Sequence, residues 1–409
     1  MSERPFTDEL LTALAREHGT PLFVYDAATV RARVEELAGH FDVVRYAQKA
    51  NGNLALLRLV RAAGCAVDAV SAGEVERALA AGFAPEEIVF TSDLFDRAAL
   101  ETLRAHPTVR VNLGSADMLA PYAALDVARE VWLRVNPGFG SGHGRKVTTG
   151  GEHSKHGLWH ADLARAVAEA RMLGLEVTGL HVHIGSGAEL GRLLEAARAL
   201  GELALRVGRS LTVLSAGGGL SIPYRPGEER PDVARLARGW RGVQRELERE
   251  LDRPLALELE PGRYLVAEAG VLVTEVRGTK RNGSLDFALV DAGFHNLARP
   301  ALYGAYHAIT ALGAARERAS ARQVVAGPLC ESADVFTQDA AGNPEPRLLP
   351  RLVAGDLVCL HDAGAYGSAM GSNYNSQPRA AEVLVEGGVA RLVRRRERPE
   401  ELWRAELET

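Results

Sequence analysis

Between residues 44 and 262, eight short apolar, β-branched runs alternate with segments of helical periodicity, and no other feature of the chain restricts its fold as tightly. The runs are "VRYAQKA" (44–50), "AVDAV" (66–70), "EIVFTS" (87–92), "VRVNL" (109–113), "VWLRVNP" (131–137), "VTGLHVHIGS" (177–186), "LTVLSAGGG" (211–219) and "LALELEPG" (255–262). Spacers such as "LGRLLEAARALGELALRV" repeat leucine at three- and four-residue steps, as one face of a helix does; some earlier spacers, such as "SAGEVERALAAGF", are short. Strand and helix in alternation predict an α/β fold. Eight such units predict a closed (β/α)8 barrel, with an open doubly wound sheet as the alternative.

The pattern changes after residue 270. "VLVTEVRGTKRNGSLDFALVDAGF", "ARQVVAGPLCES", "GDLVCLHDAGAY" and "AAEVLVEGGVARLVRRR" are short strand-like runs with turn residues between them and little helix. They predict a barrel over 29–270 and a β-rich domain over 271–409, completed by segment 1–28, where "PLFVYD" (21–26) is a lone strand. A chain of 409 residues has room for both. The formal charge of -5 provides no basic field for nucleic acid or an anionic membrane surface, so neither partner is expected. "MSERPFTDELLTALAREHG" reads as an acidic amphipathic helix without the apolar core of a signal peptide, and no uncharged run reaches membrane-spanning length. Cys65, Cys330 and Cys359 are too far apart in sequence for a disulfide framework or a zinc site. A cytoplasmic enzyme is the expectation.

Polar and glycine residues gather at the C-terminal ends of the runs, which is the face where such barrels carry their active sites. Lys49 stands at the first of these ends. Lys49, Lys146, Lys155 and Lys280 are the only lysines among 48 Lys+Arg, so arginine fills nearly every ordinary cationic role. A lysine amine can lose its proton and attack a carbonyl, which a guanidinium cannot. Gly217, Gly218 and Gly219 end the seventh run; a lone triple glycine reads as a tight turn, but on this strand of a barrel its backbone N–H groups read as a phosphate site. "GFGSGHG" (138–144) follows a strand but leads into polar loop rather than a helix, so it fails as a dinucleotide fingerprint and reads as part of a lid over 138–156. His181 and His183 share one face of the sixth run. No third ligand stands at suitable spacing, so no metal is expected. His183 is placed to lay its ring on a flat aromatic cofactor, Ser186 to bond a phosphate, and His181 reads as a buried barrel histidine. Glu258 and Glu260 share a face of the eighth run. A buried carboxylate there keeps a pyridine nitrogen protonated, whereas a glycosidase carboxylate pair is the rival, disfavoured by an aromatic content of 6%. Lysine, stacking histidine, phosphate glycines and ring-nitrogen glutamate, in that order on successive strands, describe pyridoxal 5′-phosphate.

The motifs "FDVVRYAQKA", "WLRVNPGFG", "SKHG", "HVHIGSG", "SAGGGLSIPY", "EPGRYLV", "RPALYG", "GPLCESADVF" and "DAGAYGSAMGSNYNSQPR" resemble those of the diaminopimelate decarboxylases, of the alanine-racemase-like group, nearly end to end. "GPLCES…GAYG…YN" is the most specific part, and no family motif position is lost. The resemblance implies a barrel joined to a β-sandwich-like domain, and a head-to-tail homodimer with active sites at the interface. It implies that Lys49 carries the cofactor as a Schiff base, His183 stacks on the ring, and Glu260 pairs with the ring nitrogen. Phosphate contacts are implied for Ser186, Gly218 and the Gly262–Arg263 backbone. Arg263, Arg299, Tyr303, Glu331 and Tyr366 are implied to hold the substrate, Tyr366 also lying near the cofactor, and Cys330 to donate a proton from the partner subunit. The implied reaction is decarboxylation of meso-2,6-diaminopimelate to L-lysine and CO2, the last step of lysine synthesis. The unreacting end of that substrate needs a cation for its carboxylate and an anion for its ammonium, and Arg263, Arg299 and Glu331 are of the right kinds. Three alternatives share the cofactor. They are a related decarboxylase of another amino acid or of a siderophore or antibiotic precursor, a racemase using a tyrosine where this chain has Cys330, and a non-catalytic carrier lacking the β-rich domain.

Overall fold

The structure, a computed structural model, describes residues 5–142, 148–339 and 341–409. It divides into two compact units, one of Arg31–Ile222 and Arg230–Tyr264, the other of Met1–Val30, Pro223–Glu229 and Leu265–Thr409. The described chain starts with α1 (Asp8–His18), β1 (Leu22–Asp26) and α2 (Ala27–Ala38).

Eight parallel strands then close on themselves. They are β2 (Val43–Ala47), β3 (Ala66–Ala69), β4 (Ile88–Ser92), β5 (Arg110–Leu113), β6 (Glu130–Asn136), β8 (Glu176–Val182), β9 (Val213–Ser215) and β10 (Ala256–Leu259), with β10 pairing back onto β2. A two-residue strand, β7 (Leu158–Trp159), pairs parallel with the end of β6. Both faces of these strands are covered, which is why they read as continuous apolar runs; β6 is buried from Val131 to Asn136. Several of the helices between them start on side-chain caps. Ser71 accepts from the Glu74 N–H at the head of α4 (Ala72–Ala81), which follows α3 (Leu54–Ala62), and Asp96 accepts from Ala99 at the head of α5 (Arg97–Ala105).

The barrel interior is layered, and one layer is ionic. Arg45 and Glu258, 1% and 2% exposed, meet through two bonds of 2.9 Å, and Arg45 Nη1 donates to the Glu87 carbonyl at 3.0 Å. The Arg45 guanidinium lies 5.6 Å from the Trp132 ring, and a Cβ on Gly179 would run into that same indole. Glu258 therefore neutralises a buried arginine. It does not pair with Glu260, and the two-carboxylate reading falls.

In the other unit a mixed sheet is organised around β11 (Gly270–Asn282), which leads into β12 (Leu285–Val290). The first half of β11 pairs antiparallel with β1 and with β16 (Leu357–Leu360); from Val276 onward, across an irregularity between Val276 and Gly278, it pairs with β12. β13 (Ile309–Ala311) adds to β16, β14 (Ser320–Ala326) runs parallel to β12, and β15 (Arg347–Pro350) closes that edge. β17 (Ala381–Glu386) runs parallel to β1 and turns into β18 (Val389–Arg394). Leu11 and Leu14 of α1 pack with Val24, Val273, Cys359 and Val383 in its core. Among the described residues, no helix is long and apolar enough to cross a membrane.

Candidate active site

Lys49 leaves the barrel wall on a single 3-10 turn, Gln48–Ala50, that follows β2. The turn buries its neighbours and exposes the lysine; Gln48 Nε2 donates to the Glu74 carbonyl at 2.8 Å. The ends of the first and eighth barrel strands touch beside it. A Cβ on Gly262 would stand 3.0 Å from the Ala50 side chain and 3.1 Å from the Ala47 carbonyl, so glycine lets the two ends come this close without displacing either.

His183, Gly218 and Glu260 form one connected group at the ends of β8, β9 and β10. The Gly218 N–H donates to His183 Nδ1 at 3.2 Å. A ring nitrogen that accepts carries no proton, so the neutral ring is protonated on Nε2. Burial, and then the charges of Arg134 and Lys49, drive the His183 pKa well down and keep it neutral. Gly217 and Gly219 have φ of 60° and 114°, and a Cβ on Gly218 would stand 2.6 Å from the Glu260 carbonyl. Glu260 Oε2 accepts from His181 Nε2 at 2.8 Å and Oε1 from the Ser215 hydroxyl at 2.9 Å. Burial alone would raise this carboxyl, but the charge and hydrogen bond of His181 with the Ser215 bond outweigh it and hold Glu260 well below the usual range, as an anion. Ser186 accepts from Arg263 Nη2 at 2.8 Å.

Several polar side chains of this region lie hidden inside apolar runs. Asp68, 2% exposed on β3, is lifted by burial and by the Glu260 charge, with Lys49 offsetting part of the rise. Arg134 is buried on β6 among the charges of Asp93, Glu260 and Asp68. His181, read from sequence as a buried barrel histidine, is buried, and its partner is Glu260. The only signal these residues leave in the sequence is a charged or polar letter within a Val/Leu run.

The described part of the lid segment is tied down. Thr149 donates its hydroxyl to the His183 carbonyl at 2.9 Å, and Asn136 bonds the Gly151 N–H and the Gly151 and His156 carbonyls. Asp93 pairs with His156 Nδ1 and accepts from the Gly157 N–H at 3.0 Å. Residues 143–147, with Lys146, lie outside the described residues.

The remaining candidates belong to the other unit. Arg299 opens a one-turn helix, Arg299–Tyr303, and is buried; its guanidinium lies 4.7 Å from the Tyr224 ring, and Nη1 is 2.8 Å from His307 Nε2. Tyr303, at the end of that helix, is exposed. Cys330 and Glu331 are exposed on the loop after β14. Asp334 shapes that loop by accepting from the Leu329 N–H at 2.8 Å, and Asn375 Oδ1 accepts from the Cys330 N–H at 2.9 Å. Tyr366 has φ of 58°, a costly backbone state for a tyrosine and of the kind that clusters at working sites. Among the described residues, no group of three or more His, Cys, Asp or Glu is placed to hold a metal.

Residues 27–267 match the family described as pyridoxal-dependent decarboxylase, pyridoxal binding domain. A diaminopimelate decarboxylase of Escherichia coli is 49% identical, over 99% of this chain and 98% of its own. The chain belongs to the diaminopimelate decarboxylases. A crystal structure of a diaminopimelate decarboxylase, 48% identical, superposes with a TM-score of 0.95 over 99% of this chain and 98% of that one. The Helicobacter pylori member, solved in complex with L-lysine, is 31% identical, with a TM-score of 0.88 over 97% and 99%.

The residues present fit the family's pyridoxal phosphate. An anionic Glu260 suits a protonated pyridine nitrogen, a neutral His183 presents a ring face, and the Gly218 position is closed to any Cβ, leaving its backbone accessible to a phosphate. The enzyme is a pyridoxal-dependent decarboxylase.

Proposed function

We propose that this enzyme removes CO2 from meso-2,6-diaminopimelate and releases L-lysine. The observation that carries the reading is Glu260, a buried carboxylate kept anionic by His181 and Ser215 at the end of the eighth strand, in a chain half identical to enzymes of that name. Bound pyridoxal phosphate supplies a sink for the electron pair left on Cα when the carboxylate departs. Lys49 would hold the cofactor through its amine. Glu260 would keep a proton on the pyridine nitrogen, and His183 would cover the ring. Ser186, Gly218 and the backbone of Gly262 and Arg263 bind the phosphate. Cys330 returns a proton to Cα, and we assign that thiol to the partner subunit of a homodimer whose active sites lie at the interface.

Arg299 and the Arg263 side chain hold the distal carboxylate, Glu331 the distal ammonium, and Tyr303 and Tyr366 flank the substrate. Ornithine and lysine carry no distal carboxylate, so binding them leaves a guanidinium without its partner. Cys330 is an exposed free thiol, as suits a reducing compartment, and the enzyme is assigned to the cytoplasm. CO2 release from meso-, LL- and DD-diaminopimelate, lysine and ornithine, measured in parallel, tests the substrate. Release from the meso compound alone is expected. Faster release from lysine or ornithine would replace this reading with that of a related decarboxylase.

A further inference from the structure

The Arg299 side chain is met by a histidine that no reading of the site has used. His307, 1% exposed, lies just before β13, and its two ring nitrogens face different groups. Nδ1 is 2.8 Å from the His361 carbonyl oxygen, and Nε2 is 2.8 Å from Arg299 Nη1. A carbonyl oxygen only accepts, so Nδ1 carries the proton. A guanidinium only donates, so Nε2 must present its lone pair. The two contacts together fix a neutral ring in one tautomer. An imidazolium would turn an N–H toward a cation.

The ring is itself held in place. The His307 carbonyl accepts from Arg347 Nη1 at 2.6 Å, the Tyr224 ring meets the imidazole edge-on at 5.6 Å, and the His361 N–H donates to the Ala308 carbonyl at 2.9 Å as the β13–β16 ladder continues. Tyr224 also faces the Arg299 guanidinium at 4.7 Å. Arg299 is thus steered end-on by an imidazole lone pair and face-on by a phenol ring.

We infer that His307 is a positioning residue for substrate specificity, a neutral acceptor that orients the Arg299 guanidinium toward a carboxylate of the substrate. The inference rests on the proposed role of Arg299. A carboxylate in the same place would hold the guanidinium equally well, but it would compete with the substrate for it. A neutral lone pair orients the guanidinium and leaves its charge in place.

Steady-state kinetics on meso-diaminopimelate with the loaded enzyme test this. His307→Phe keeps the ring and removes the lone pair. It should raise KM roughly tenfold or more, the size of a lost hydrogen bond to a charged group, while kcat stays within about threefold because the reacting end is untouched. His307→Gln, which restores an acceptor near Nε2, should recover most of the loss. His307→Glu should hold Arg299 yet raise KM by competition, and it serves as the second variant should the Phe protein fail to fold. The double variant H307F/R299K should be no worse than R299K alone, since both act on one guanidinium. A wild-type KM in both H307F and H307E, or single-variant losses that multiply in the double, would overturn the inference. Wild-type enzyme inactive on meso-diaminopimelate would instead remove the substrate reading, and this inference with it.

Discussion

At Lys49 the neighbouring charges are mostly carboxyls. It acts electrostatically on Asp68 and Glu74, and both of those carboxyls are raised by burial, so it stands beside groups that a cation relieves. If this amine carries the cofactor, borohydride reduction of the loaded enzyme leaves the cofactor mass on the peptide containing Lys49. Label on Lys155 or Lys280 instead would contradict the assignment. Arg299→Lys should lower kcat/KM for meso-diaminopimelate by roughly a hundredfold, because a point charge cannot reproduce a two-pronged guanidinium grip on a carboxylate. Near-normal kinetics would exclude Arg299 as the clamp. Lys49, His183 and Glu260 were legible as candidates because each stands at the end of an apolar run. Asp68 and Arg134 were not, because a residue inside a run acquires its role only from the barrel layer its side chain enters. His307 was not legible either, since nothing in "RPALYGAYHAIT" says that the histidine returns to the arginine at the start of the helix.

Among the elements, the eight barrel strands were legible because a strand covered on both faces is apolar throughout. β7 was not, since two residues carry no periodicity, and the mixed pairing of β11 was not, because nothing in its residue pattern marks the change of partner at Val276. The segment from Thr148 to Gly157 was foreseen only as part of a lid. Its anchors, Asn136 and Asp93, end barrel strands, and Asp93 makes the tie to His156 measurable. Burial pushes Asp93 up, but the His156 and Gly157 bonds with the Arg134 charge bring it down to about 2. A carboxyl lowered on folding contributes stability above its unfolded pKa, and that contribution is lost as pH falls through its folded value. Asp93→Asn should therefore lower the stability of the barrel by about 2 kcal/mol at neutral pH, with the gap closing as pH falls from about 4 toward about 2. Urea unfolding of both proteins at pH 7 and pH 3 checks this. A gap that is unchanged or wider at pH 3 would show that the Asp93 charge does not hold the segment.

For the whole molecule the proposal is a homodimer in which the thiol of one copy serves the lysine of the other. Lys49→Ala and Cys330→Ala proteins, each inactive or slow alone, should regain activity when mixed under subunit exchange, since one interface in each hybrid then holds both native groups. A stable hybrid with no recovered activity would place both residues in one chain's site. The reaction itself has a stereochemical signature. Meso-diaminopimelate has one D and one L centre, so a product of L-lysine means that the carboxylate leaves the D centre and the L centre is untouched. The most direct measurement is chiral analysis of the lysine formed from meso-diaminopimelate, with CO2 counted in the same reaction. One equivalent of CO2 for each L-lysine is expected. D-lysine, a racemic product, or diaminopimelate epimerised without CO2 would contradict the account.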